Sequence, residues 1–208
     1  MIHRTLGIDA SLNGTGLCLL STDDHGYTTT EAELTIKPTK GSPKGVERLR
    51  FLFSALNRWL DEHHIVGSNI SVALIEEYAY GASGKIASIG EWGGIIRLIL
   101  SDRGIRIAEM NVAHLKQFVT GMGNSKKEQM LLGVYQRFHR SYVSNDAADA
   151  FALATAAQAW SLPSAVAETG WRKWFRRALS AEEKKAASKI QLTWEQSEPK
   201  AIRARVKR

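Results

Sequence analysis

The chain has 208 residues, 44% of them hydrophobic and 24% charged, with a net charge of +7, a balance that fits one ordinary globular domain plus an appendage and excludes a low-complexity chain. No apolar run approaches the roughly 20 residues that span a bilayer, and Met1-Ile2-His3-Arg4 opens no signal peptide, so the chain is read as cytoplasmic with no membrane partner. The single cysteine, Cys18, excludes an intrachain disulfide framework or a Cys-rich zinc site and, set in an apolar run, is read as buried packing.

Thr5 to Asp9 is a short apolar run ending in an acid, and Gly14 to Ser21 is a second such run after an Asn13-Gly14 turn. The pattern predicts strand, tight turn and strand. Tyr27 to Ile36 alternates apolar with polar residues and completes an antiparallel meander. After a Pro/Gly/Ser-containing break at 37–43, Leu49, Leu52, Phe53, Leu56, Trp59 and Leu60 recur at helical spacing and predict an amphipathic helix over 46–64.

Ile70 to Ile75 predicts a buried strand with Glu76 and Glu77 at its end, followed by a loop, Tyr78 to Lys85. A helix follows over 86–103, then a fifth strand from Ile105 to Met110 and a short helix over 112–119. Ser125 is the expected cap of the next helix, which holds Met130, Leu131, Val134, Tyr135 and Phe138. Asn145 to Ser161 is Ala-rich and uninterrupted, hence a further helix, and Pro163 and Gly170 mark the domain's end. The order predicts an α/β fold in which a mixed sheet is covered by helices on both faces, with a domain at 1–165 and an extension at 166–208 that is partly helical, around 181–192, or disordered.

Charge separates the two parts. Residues 171–208 hold 12 Lys/Arg against 4 Asp/Glu, leaving 16 against 17 for residues 1–170. The extension is therefore either an electrostatic anchor for a polyanion, with Trp171, Trp174 and Trp194 for stacking, or a solvated tail whose aromatics dock on the domain.

Four carboxylates carry the sharpest chemical signal. Asp9 ends the first strand and Glu76 the fourth, while Asp146 and Asp149 stand three apart near a helix start and so share a face. Singly, Asp9 can serve a turn and Asp146 a helix dipole, but Asp149 sits among alanines and Phe151, where an ionised group needs a partner. If the two strands are neighbours, the four acids converge on one site suited to hard divalent cations, Mg²⁺ or Mn²⁺, and to two-ion phosphodiester hydrolysis. Alternation puts Glu76 and Glu77 on opposite faces of the strand and does not choose between them. Lys126 and Lys127 follow a Gly-rich turn at a helix start, where amides and ammonium groups can meet a phosphate or simply face solvent.

Four segments in order, Leu6-Gly7-Ile8-Asp9-Ala10-Ser11, Leu74-Ile75-Glu76-Glu77, Leu115 to Gln129, and Asn145-Asp146-Ala147-Ala148-Asp149-Ala150, resemble the motifs of RuvC-type Holliday-junction resolvases over residues 4–160. That resemblance implies a ribonuclease H-like fold with a five-stranded mixed sheet, a homodimer and Mg²⁺-dependent cleavage of four-way DNA junctions. It places the catalytic and metal-binding tetrad, with two ions per site, on Asp9, Glu76, Asp146 and Asp149, and aligns Lys116 and Lys127 with lysines near the scissile phosphate. Lys126, Tyr78, Tyr80 and Lys85, with Arg172, Lys173, Arg176 and Arg177 of the extension, complete the expected DNA contacts. The chain departs from the family in Ala10-Ser11, where Pro-Gly is common, and in Tyr78 and Tyr80, where a phenylalanine wedge is usual. With its basic extension it looks more like the bacteriophage branch, which would make the compartment the host cytoplasm. The alternatives are a branched-DNA-binding or packaging accessory with a vestigial site, and an actin-like ATPase, which a single domain of this size disfavours. The helix over 86–103, with Ile95, Ile96, Leu98, Ile99 and Leu100, is either the dimer interface or part of the monomer core.

Overall fold

The computed structural model describes residues 2–38, 44–77 and 86–162. They hold five strands, β1 (His3–Asp9), β2 (Thr15–Thr22), β3 (Thr28–Ile36), β4 (Val72–Glu76) and β5 (Ile107–Met110), and five helices, α1 (Val46–Glu62), α2 (Ile86–Asp102), α3 (Val112–Thr120), α4 (Lys127–Phe138) and α5 (Asn145–Ser161), in the order β1-β2-β3-α1-β4-α2-β5-α3-α4-α5. The strands form one mixed sheet in the order β3-β2-β1-β4-β5. The first three strands are antiparallel neighbours, and β4 and β5 add parallel to β1. The strands bearing Asp9 and Glu76 are therefore adjacent, as convergence of the acids requires.

The two faces of the sheet carry separate cores. On one, Leu6, Ile8, Ala73 and Ile75 meet Leu52, Leu56, Trp59 and Leu60 of α1 and Trp92, Ile96, Ile99 and Leu100 of α2. On the other, Cys18, Leu20, Val72 and Leu74 meet Leu115 and Phe118 of α3, Met130 and Val134 of α4 and the alanines of α5. Each β4 residue from Val72 to Ile75 is buried, which accounts for its continuous apolar run. Cys18 is fully buried, as its apolar setting predicts, and burial first, then Glu33, pushes its thiol above the ordinary range.

Helix α5 is buried on nearly every side, so its sequence shows no amphipathic stripe. It lies across β1, β2 and β4. Its seat is made of glycine: a Cβ on Gly7 would fall 2.0 Å from the Ala150 carbonyl oxygen, and one on Gly16 would fall 2.0 Å from that of Asp146. Backbone thus rests on backbone, and Thr5 Oγ1 adds a hydrogen bond to the Ala154 carbonyl at 3.1 Å.

Two expectations need correction, and of the two readings of α2 the monomer core is met. Ser125 does not cap α4; Lys126 holds that position, and Ser125 Oγ turns to Thr120 Oγ1 at 2.6 Å and to the Met122 carbonyl at 2.8 Å, closing the 120–125 turn. β5 begins at Ile107, because Ile105, although buried, bonds back to the Leu100 carbonyl at 2.9 Å and ends the turn after α2. In α2, Ile96, Ile99 and Leu100 are spent on the monomer core, and Leu98 alone of that predicted set is exposed.

Candidate active site

Thr5, Gly7 and Asp9 alternate onto the α5 face of β1, while Leu6 and Ile8 point to the α1–α2 core. On β4, Val72 and Leu74 line the α5 core and Ala73 and Ile75 the opposite one, so Glu76 continues toward α5 and Glu77 away from it. Glu77 accepts instead from Asn111 Nδ2 at 3.3 Å, which places it with the β5–α3 connection. Ile8 pairs with Ile75 in register, so the next residues on two parallel strands are Asp9 and Glu76. Adjacent strands lie about 4.8 Å apart. The first turns of α5 arrive over these strand ends and bring Asp146 and Asp149.

Three of the four acids are raised by burial and by neighbouring carboxylates. Burial first, and then the carboxylates of Glu76, Asp149 and Asp146, push the Asp9 carboxyl well above its ordinary range, with Lys127 opposing. Burial and Asp149 raise Glu76 to about 7 against the pull of Lys116 and Lys127. Asp149 rises to about 6 through burial and Asp146, again opposed by Lys127 and Lys116. The structure therefore assembles all four predicted acids and two of the predicted lysines, the latter brought by α3 and the start of α4. Lys126, at the N-cap of α4, is exposed, and its backbone N–H donates to Gln129 Oε1 at 2.7 Å. Tyr78, Tyr80, Lys85, Arg172, Lys173, Arg176 and Arg177 lie outside the described residues.

Sequence reasoning missed two members of this site. Lys37, just beyond β3, sets its Nζ 3.6 Å from Asp146 Oδ2 and 3.4 Å from Ser144 Oγ. Ser144 in turn donates to Asp146 Oδ2 at 3.2 Å. A lysine after a strand and a serine before a helix are ordinary surface residues, and no local pattern marks them as members of a site.

The donor set fits a hard divalent cation. It is all carboxylate, it carries more negative charge than burial tolerates unaided, and Asp149 Oδ1 is buried without a hydrogen-bond partner. Among the described residues no three His, Cys, Asp or Glu side chains are drawn around one point in ligand geometry. Soft or imidazole ligands are not part of the cluster, which disfavours zinc.

The family model described as crossover junction endodeoxyribonuclease RuvC matches residues 5–157. The chain belongs to that family. RuvC of Roseiflexus sp. RS-1 is 30% identical over 161 residues, covering 73% of this chain and 88% of its own. RuvC of Mycobacterium tuberculosis H37Ra is 27% identical over 163 residues, covering 77% of this chain and 84% of its own. Thermus thermophilus RuvC shares the fold, with a TM-score of 0.58 at 19% identity over 73% of this chain and 90% of that one. Its complex with Holliday junction substrate superposes with a TM-score of 0.59. The matched span ends at residue 157, within α5, so the family likeness covers the whole carboxylate cluster and none of the basic extension.

Proposed function

We propose that this protein is a divalent-metal-dependent endodeoxyribonuclease that resolves Holliday junctions, and acts on other branched DNA, as a homodimer in recombination, repair or phage DNA processing. The observation that carries the reading is the convergence of Asp9, Glu76, Asp146 and Asp149, in which Asp9 feels the other three, Glu76 feels Asp149 and Asp149 feels Asp146, beside Lys116 and Lys127. Family membership supports the substrate, since the relatives bear the name crossover junction endodeoxyribonuclease and the Thermus protein is described with a Holliday junction.

In this reading the four carboxylates hold two Mg²⁺ ions, with Mn²⁺ as a substitute. When bound, such ions lower the pKa of a water and neutralise charge developing on the leaving oxygen of an in-line displacement. The chain's own contribution is placement. Asp9 and Glu76 are carried by paired strands, Asp146 and Asp149 by a helix seated backbone to backbone, so all four acids stand on rigid elements. Lys116 and Lys127 offer ammonium groups to the strand being cut, and the exposed Lys126 to its flank. The extension supplies sequence-independent attraction to the backbone through its cations, Arg172, Lys173, Arg176 and Arg177 among them. A two-fold dimer would present one such site to each of two strands of a roughly two-fold junction.

The test is cleavage of synthetic four-way, three-way, flapped and linear DNA in Mg²⁺ by wild type and Asp146→Asn. The expected result is paired nicks in the four-way substrate by wild type, with Asp146→Asn inactive but still bound to the junction. Retained cutting by Asp146→Asn would refute the metal assignment. Tight junction binding without nicking by wild type would make the protein an accessory and refute the enzymatic reading.

A further inference from the structure

We propose that Lys37 is a positioning residue of the carboxylate cluster, a built-in counter-cation that holds Asp146 and competes with a divalent cation for its outer oxygen. The inference rests on the metal-site reading of Asp146 and adds to it a cost of metal loading set by one side chain.

The contact is built rather than incidental. Lys37 Nζ reaches Asp146 Oδ2 directly at 3.6 Å and reaches Ser144 Oγ at 3.4 Å, while Ser144 Oγ donates to the same Oδ2 at 3.2 Å. Ammonium, hydroxyl and carboxylate thus form a closed triangle whose corners come from the end of β3, the N-cap of α5 and its first turn. Ser144 supplies an independent sign. A serine at an N-cap ordinarily accepts a bond from an amide of the first turn, but Ser144 makes no side-chain cap bond and spends its hydroxyl on Asp146. Among the described residues, Asp146 is also the one acid of the four that forms an ion pair.

The charge balance gives the pairing its consequence. A divalent ion on Asp146 and an ammonium within 4 Å of the same oxygen repel each other, so loading the site requires Lys37 to leave. It can do so readily, because the Lys37 side chain is 55% exposed on a flexible stem, against 30% for Asp146. Lys116 and Lys127 act on Asp149 and Glu76 but form no comparable ion pair among the described residues. Lys37 is therefore the cation that the first ion must displace.

Calorimetric titration of Mn²⁺ into the full chain tests this, with Lys37→Ala, Lys37→Gln and Lys37→Arg made in both wild type and Asp146→Asn. Exposed pairs of this kind are weak, so Lys37→Ala and Lys37→Gln are expected to bind Mn²⁺ only about two- to five-fold tighter than wild type. Lys37→Arg keeps the charge and should match wild type, and the gain should vanish when Asp146 is Asn. A purely structural lysine would not produce tighter binding on removal. Equal or weaker binding by both neutral variants overturns the proposal, as does a gain that persists in Asp146→Asn. Should Asp146→Asn alone bind Mn²⁺ like wild type, the metal reading of Asp146 fails, and the role of Lys37 falls with it.

Discussion

Replacing Gly16 with alanine should disable the site without touching any of its acids. The added Cβ would stand 2.0 Å from the Asp146 carbonyl oxygen, 2.7 Å from its carbon and 3.0 Å from the Ala150 Cβ, where ordinary contact begins at 3.4 Å. Two of those three neighbours are backbone and cannot rotate away, so α5 must lift by about 1.4 Å, the difference between the required and available separations. Overpacking of a well-filled core costs about 1–3 kcal/mol. For a domain of this size that lowers Tm by roughly 2–4 °C per kcal/mol. The larger effect is chemical, since a misplacement of about 1 Å in a reacting group costs on the order of 100-fold in rate. Single-turnover cleavage of a four-way junction in saturating Mg²⁺ measures it, beside a thermal melt. Gly94→Ala is the control: Gly94 is exposed in α2 with nothing within 4 Å of an added Cβ, and alanine in a helix interior should stabilise by about 0.5–1 kcal/mol. Wild-type cleavage by Gly16→Ala would refute the claim that backbone contact positions the two aspartates.

Metal-free protein should lose stability as pH rises. Folding raises Glu76 from 4.5 to about 7 and Asp149 from 3.8 to about 6, so the folded state holds these protons more tightly than the unfolded one. The resulting stability is complete below the unfolded values and is lost as pH climbs through about 6 to 7. At ~1.4 kcal/mol per unit the Glu76 shift alone is worth on the order of 3 kcal/mol, and because the acids are coupled the pair is counted once. Melts in chelator should therefore fall from pH 5 to pH 8, recover with Mg²⁺ at pH 8, and flatten in Glu76→Gln; a flat wild-type profile would contradict the burial of these carboxylates. The two neighbouring glutamates should separate cleanly in a junction assay, with Glu76→Gln inactive and Glu77→Gln within about two-fold of wild type, since Glu77 faces Asn111; equal losses would mean the β4 faces are misassigned. Truncation after residue 170 removes 12 cations and 4 acids, so the dependence of log K on log salt for junction binding should become shallower, by about 0.9 for each phosphate that the extension neutralises. An unchanged slope would assign the extension to something other than DNA.

Much of this architecture was legible because its residues obey a simple period. The α5 boundaries, Asn145 to Ser161, follow from an unbroken Ala-rich run, and the core of α1 follows from Leu52, Leu56, Trp59 and Leu60 at helical spacing. The Glu76–Glu77 choice was not legible from the strand alone, because alternation names two faces without saying which one α5 covers; the two core clusters decide it. Ser125 and Ile105 misled for a common reason. A capping residue type and a buried β-branched residue are each compatible with a turn, and local hydrogen bonds to residues five positions back placed both there. Lys37 stayed hidden because its meaning lies in a partner 109 positions away, and a charge beside an acid leaves no periodic trace.

The glycine seat under α5 also bears on how such a chain can vary. Because peptide groups meet there with no side chain between them, the register of the helix on the sheet is set by the dimensions of the main chain itself, which substitution cannot alter. Drift in the surrounding cores can then change volumes and loops without detuning the distance from the helical aspartates to the strand ends. Tolerance is bought at a few positions with almost none, Gly7 and Gly16 below and the alanines above.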